Sequence, residues 1–221
     1  MQHLILLRIA QLLHNQTTEL ALKPRHLRKG DAAGSLSYFK RAIQESPSYP
    51  QAYYYKGLAE IRLDQANEAS QSFQKAIDLS GGHYALAYFG YAHALLLLER
   101  PKDAEAISRR GLEEDSSLSE GYTVLSFTLV MEHRLDEAEQ MAQKAVQMPD
   151  PLAWKALLPI AYIHAIKKEY APAVHDLESY LQHLRSEGDK GLIPRVEKVL
   201  SDLKTNLSAR EPALVLAQNP D

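Results

Sequence analysis

Apolar positions along this chain recur on a helical period rather than by strand-like alternation. Near the start, Leu4, Leu7, Ile9, Leu12 and Leu13 fall at near-helical spacing and predict an amphipathic helix within about residues 2–22. From Ser35 onward one unit repeats: a small residue, a larger one four positions on, and another small one three later. It occurs as Ser35-Phe39-Ala42, Ala69-Phe73-Ala76, Ala104-Ser108-Gly111, Ala138-Ala142-Ala145 and Ala173-Leu177-Tyr180, with first members 34, 35, 34 and 35 residues apart. A second series keeps the same period. Tyr53, Tyr88 and Tyr122 are each followed four residues later by Gly57, Ala92 and Ser126, and Ala161 takes the equivalent place in the last unit. Beyond Gly188 and Gly191, an apolar stripe of Leu192, Val196, Val199, Leu203 and Leu207 predicts a terminal helix with one wet face.

A period of 34 residues on helical spacing resembles the tetratricopeptide repeat. In that family an aromatic and a small residue lie on helix A, and Ala, an aromatic and Ala lie on helix B. Tyr53, Gly57, Ala69, Phe73 and Ala76 match best, Gly30–Ile43 and Lys168–Val174 carry the turn before helix B, and Pro47 marks an exit. The likeness covers Gly30 to about Leu184, about 70% of the chain. It implies an all-α, right-handed α-α solenoid of about four to five tetratricopeptide-like helical hairpins with a C-terminal capping helix. The expected divisions are 1–29 (amphipathic helix and irregular first half-repeat), 30–186 (repeat array), 187–207 (cap) and 208–221 (disordered tail). Between Pro24 and Phe39 about one helix A is missing, and the helix near residues 2–22 is expected to swing back as that partner.

The spacing has a physical basis. A helical hairpin has an apolar face that it cannot bury alone, so hairpins stack, and small residues at crossings let backbones approach. Gly81-Gly82 and the Pro149–Pro151 turn absorb the extra residue of the longer intervals. Lys56 and Glu60 stand where the family has Leu and Tyr, and at four residues apart they are expected to pair. Ser108 and Ala142 replace the helix B aromatic, so thinner contacts are expected there. Tyr180 replaces a small residue, and Pro159 is expected to kink the last helix A.

Composition narrows the chemistry. The chain has 221 residues, no Cys, and a formal charge of −3. Without Cys there is no disulfide framework, thiolate metal site or Cys nucleophile. A near-neutral charge argues against nucleic-acid binding, which needs a basic surface. No segment approaches the roughly 20 apolar residues of a membrane span, since Arg8 cuts the first apolar run. No phosphate loop, His-Glu-x-x-His or nucleophile elbow is present. His164 and His175, with Asp176, are the one grouping that invites a metal reading, and scattered surface histidine is the commoner explanation. No cofactor and no enzymatic activity are expected, and the default compartment is the cytoplasm, with a periplasmic or secreted location open if the chain is a fragment.

What remains is recognition. The resemblance implies a concave groove lined by helix A, and the register carries it onto Tyr54, Leu58 and Ile61, then Phe89, His93 and Leu96, then Thr123, Phe127 and Val130, and finally Leu158 and Tyr162. These side chains do not form the Lys/Asn/Arg carboxylate clamp of chaperone-binding members. The expected function is a protein-interaction scaffold or adaptor that takes an apolar or aromatic-rich peptide or partner helix. The alternative is a regulatory or assembly module of a larger enzyme or cell-envelope complex.

Overall fold

In the computed structural model, residues 31–187 and 192–218 are described, with side chains through residue 206. The expected helix near residues 2–22 lies outside them. Within the described residues the secondary structure is ten α-helices and one 3₁₀ turn. They are α1 (Ala32–Glu45), α2 (Pro50–Arg62), α3 (Ala66–Leu79), α4 (Ala85–Leu97) and α5 (Pro101–Glu114), then α6 (Ser119–Met131), α7 (Leu135–Val146), the 3₁₀ turn (Ala153–Ala156), α8 (Leu157–Ile166), α9 (Tyr170–Glu187) and α10 (Ile193–Gln218). Successive helices pack pairwise from α1 to α10, and each helix A also touches the next one, which makes a solenoid of hairpins.

The two helices of a hairpin read differently. Helix B is amphipathic: α3 buries Ala69, Ser72, Phe73, Ala76 and Ile77, spaced i, i+3, i+4, i+7 and i+8 on one face. Likewise α5 buries Ala104, Ser108 and Gly111, and α7 buries Ala138, Ala142 and Ala145. The A helices α4 and α6 are instead buried nearly all round. Ala92–Leu96 of α4 and Gly121–Val130 of α6 are unbroken buried runs, each longer than one 3.6-residue turn.

Every turn from helix A to helix B has the same form. Asp64, Glu99, His133 and Lys168 adopt left-handed φ of 57°, 57°, 62° and 65°, at intervals of 35, 34 and 35 residues. The next N–H reaches back to a helix carbonyl each time, as from Gln65 to Glu60 at 2.9 Å and from Glu169 to His164 at 2.8 Å. Gly81 and Gly82, with φ of 66° and 91°, take up the extra residue after α3.

Two aromatic pegs hold the middle of the stack. Phe73 of α3 lies between α2 and α4, where a β-carbon on Gly57 or Gly90 would stand 2.9 or 2.4 Å from its ring. In the next unit Ser108 occupies the peg position of α5, and the contacts there are not thinner. Instead Phe89 of α4 fills the space: β-carbons on Gly111 and Gly121 would each stand 2.5 Å from its ring. Ser108 Oγ is left buried without a hydrogen bond.

Further expectations meet the structure at particular residues. Lys56 and Glu60 do pair, at 2.6 Å, and Ser72 closes a triangle by accepting from Lys56 at 2.7 Å and donating to Glu60 at 2.5 Å. Pro159 does not kink a helix. The last helix A is split into the 3₁₀ turn and α8, so Pro159 sits in the first turn of α8, where a missing N–H costs nothing. Tyr180 is accommodated by Trp154, with ring centroids 5.3 Å apart. The cap is present, with Leu192, Val196, Val199 and Leu203 buried against α9, but α10 does not stop at residue 207. The segment expected to be a disordered tail continues the helix to Gln218, consistent with its good helix formers Ala209, Arg210, Glu211 and Leu214.

Candidate functional site

The groove positions lie on α2, α4, α6 and α8, and their surroundings differ from an open trough. Ten of the eleven expected contact residues are buried, and Tyr162 is half-buried. Tyr54 is 3% exposed, Leu58 4%, Leu96 8%, and Phe127 and Val130 6% each. Three residues prove to be core, the first being Ile61, 1% exposed in a cluster with Leu58, Ala69 and Phe73. Phe89 is fully buried as the peg described above, because Ser108 leaves that volume free. Leu158 is fully buried in the cluster that joins α8 to Tyr170, Leu177 and Val196. Thr123 has its hydroxyl committed to the Ser119 carbonyl at 2.9 Å.

Aromatic rings line the α2 end. Phe39 stacks on Tyr55 at 5.3 Å, Tyr55 meets Tyr54 at 5.3 Å, and Tyr54 meets Tyr84 at 5.2 Å. Burial raises the Tyr54 phenol well above its ordinary value, and the Glu120 carboxylate adds to the shift. Tyr84 is raised by burial first, with Tyr55, Tyr49 and Glu120 contributing.

Residues missed by the sequence reading supply the polar component. Burial lifts the Glu120 carboxyl above its usual range, with Lys155 opposing and Asp150 adding. Burial also lowers Lys155 to about 8, against the pull of Glu120, Asp150 and Glu187. Glu120 and Lys155 stand three residues before Thr123 and Leu158, so the same repeat register extended by one turn would have found them. Asp150, from the loop after α7, holds the start of α6. It accepts from the Ser119 N–H at 3.0 Å and hydroxyl at 2.5 Å, and from the Leu152 N–H at 2.8 Å.

The histidine grouping forms in part. His164 Nδ1 lies 2.7 Å from Asp176 Oδ2, and Nε2 is 3.8 Å from Glu139 and 3.7 Å from Glu169. Lys167 bridges Glu139 at 2.7 Å and Asp136 at 3.0 Å, and those two acids raise it to about 12. Asp176 is raised by burial, with His164 and His175 opposing and Glu139 adding to it. The cluster ties α7, α8 and α9 together, and among the described residues no group of three or more His, Cys, Asp or Glu is arranged to hold a metal ion. Nor is any described helix long and apolar enough to cross a membrane.

The family model described as tetratricopeptide repeat matches residues 20–84. No curated protein sequence matches the chain. Among solved structures, a thermophilic tetratricopeptide-repeat protein of Thermus thermophilus superposes with a TM-score of 0.68 at 16% identity. The match covers 90% of this chain and 99% of that one. PilF of Pseudomonas aeruginosa gives 0.59 at 14% identity, covering 92% and 94%. MamA (residue 41 to its end) of Desulfovibrio magneticus RS-1 gives 0.55 at 20% identity, covering 81% and 96%.

Proposed function

Taking the chain as a solenoid of tetratricopeptide-like hairpins, we propose that it is a non-catalytic protein-interaction scaffold whose helix A face receives an apolar, helix-forming segment of a partner protein. One observation carries this reading. The A helices α4 and α6 are buried nearly all round, although helical hairpins need only two flanks and a back for stacking. A fourth apolar side suits a further helix laid against it, with anchors spaced i, i+3, i+4 and i+7. Leu58, Leu96, Phe127, Val130 and Tyr162 supply the apolar wall, Tyr54 and Tyr84 the aromatic end, and Glu120 and Lys155 the polar marks that fix orientation.

The test is capture from the native source with the full chain and with a Leu96→Glu/Phe127→Glu variant, each checked for helical content. A partner retained by the wild type and lost by a folded variant supports the groove. Equal capture by both overturns it, and Thr123→Arg gives a second groove variant should the first fail to fold.

A further inference from the structure

A row of side chains lies one helical turn ahead of the groove positions. Three residues before Tyr54, Phe89, Thr123 and Leu158 stand Gln51, Leu86, Glu120 and Lys155, at intervals of 35, 34 and 35 residues. A three-residue step keeps a side chain on the same helix face, so this row borders the groove. Two of its members are acceptors without a donor. Gln51 Oε1 is buried and makes no hydrogen bond. Glu120 is half-buried, and burial and the charges of Lys155 and Asp150 act on it, with no hydrogen bond or ion pair among the described residues.

Tyr54 adds a third acceptor between them. It is 3% exposed and meets Tyr55, Phe73 and Tyr84 through its ring, while its hydroxyl makes no hydrogen bond among the described residues. Gln51 and Tyr54 are one turn apart on α2, and Tyr54 meets Tyr84, which directly precedes α4, at 5.2 Å. The first turn of α6 packs on α4 through Gly121 and Phe89, which brings Glu120 to the same end. Its charge acts on both phenols, Tyr54 and Tyr84. At the mouth Tyr49 leaves its ring 53% exposed.

The balance of charge sets the sign of what fits. Three carboxylates act on Lys155, namely Glu120, Asp150 and Glu187. One cation against three anions leaves this end of the groove negative. A buried acceptor without a donor carries its desolvation cost uncompensated, and a donor-rich ligand removes it. A guanidinium has five N–H donors, no acceptor, and a planar face that stacks on aromatic rings.

We propose that this end of the groove receives an arginine side chain of the partner segment, with Glu120 as its counter-ion, Gln51 Oε1 and the Tyr54 hydroxyl as further acceptors, and the Tyr84 ring as a stacking surface. This rests on the groove reading above and specifies its partner: an apolar helix that carries an arginine about one turn beyond its anchors.

The test titrates the full chain with N-acetyl-arginine amide and with its neutral isostere, N-acetylcitrulline amide, followed by NMR of isotopically labelled tyrosine rings. The signals are assigned with Tyr54→Phe and Tyr84→Phe. Saturable shifts at Tyr54 and Tyr84 are expected with the arginine compound alone, and about tenfold weaker binding in Glu120→Gln, which keeps the shape and removes the charge. In a second variant, Gln51→Leu, binding should weaken while the thermal midpoint does not fall, because an orphaned acceptor has been removed. No saturable shift, equal binding of the citrulline compound, or unchanged affinity in both variants overturns the proposal. Neither readout involves the partner protein. Failure here strikes the arginine site alone, whereas equal capture by the Leu96→Glu/Phe127→Glu variant strikes the groove.

Discussion

Phe89 offers the sharpest test of the packing. As a groove contact it would be removable at little cost to folding, whereas as a peg it is structural. Phe89→Ala empties a ring-sized volume between Gly111 and Gly121, which have no side chains to swing into it. Phenylalanine-to-alanine changes in cores cost about 3–5 kcal/mol, and a site that cannot collapse belongs in the upper part of that range, about 4–5 kcal/mol. Ser108 occupies the position from which α5 would otherwise supply the ring. Ser108→Phe alone should therefore overpack the wild type by about 1–3 kcal/mol. In the Phe89→Ala background the same change should recover about 2 kcal/mol, because the ring is returned from the neighbouring helix. The assay is equilibrium urea unfolding followed by circular dichroism and by fluorescence of the single Trp154, whose coincidence checks cooperativity. Two results would refute the reasoning: a Phe89→Ala cost below about 1 kcal/mol, or a Ser108→Phe effect identical in both backgrounds.

Other expectations follow from the same geometry. Gly90→Leu should destabilise by about 1–3 kcal/mol or more through the clash with Phe73, measured by the same unfolding curve, and no loss would contradict the peg. Lys56→Ala should cost about 1–3 kcal/mol, since it strips Glu60 and Ser72 of a shared donor, whereas replacing all three with apolar residues should cost less. Glu99→Gly should raise stability by up to about 1 kcal/mol, the relief of a left-handed residue less the added freedom of the unfolded chain. For pH, burial opposes ionisation of Asp150, but bonds from Ser119 and Leu152 outweigh it and hold its carboxyl below the ordinary value of 3.8. Its stabilising contribution is therefore complete above about pH 4 and lost as pH falls through the lower folded value. Asp150→Ala should cost about 0.5–2 kcal/mol at pH 7 and flatten the acid limb, read from unfolding curves between pH 2 and 7.

The period and the hairpin order were legible in the sequence because small residues at crossings are dictated locally, as at Ala69, Ala76, Ala104 and Ala138. The Lys56–Glu60 pair was legible for the same reason, being one helical turn apart. The source of the ring in the third unit was not. Register alone marks Phe89 as a groove position, and only the vacancy at Ser108, a residue on another helix, turns it inward. The split of the last helix A was hidden because Pro159 signals a break without saying on which side the helix resumes. Glu120 and Lys155 were not legible because charged residues read as solvated surface, whereas Lys155 is buried and Glu120 half-buried in the stack.

The exchange of pegs between Phe73 and Phe89 has a consequence for how such a chain can lengthen or shorten. Removing the unit α4–α5 would set α3 against α6 with the helical register intact. Phe73 would then meet Val124 in place of Gly90, and Gly121 would face no ring at all. A 34-residue deletion that looks silent in the repeat pattern thus breaks the stack at its centre, so these hairpins share a period without being interchangeable.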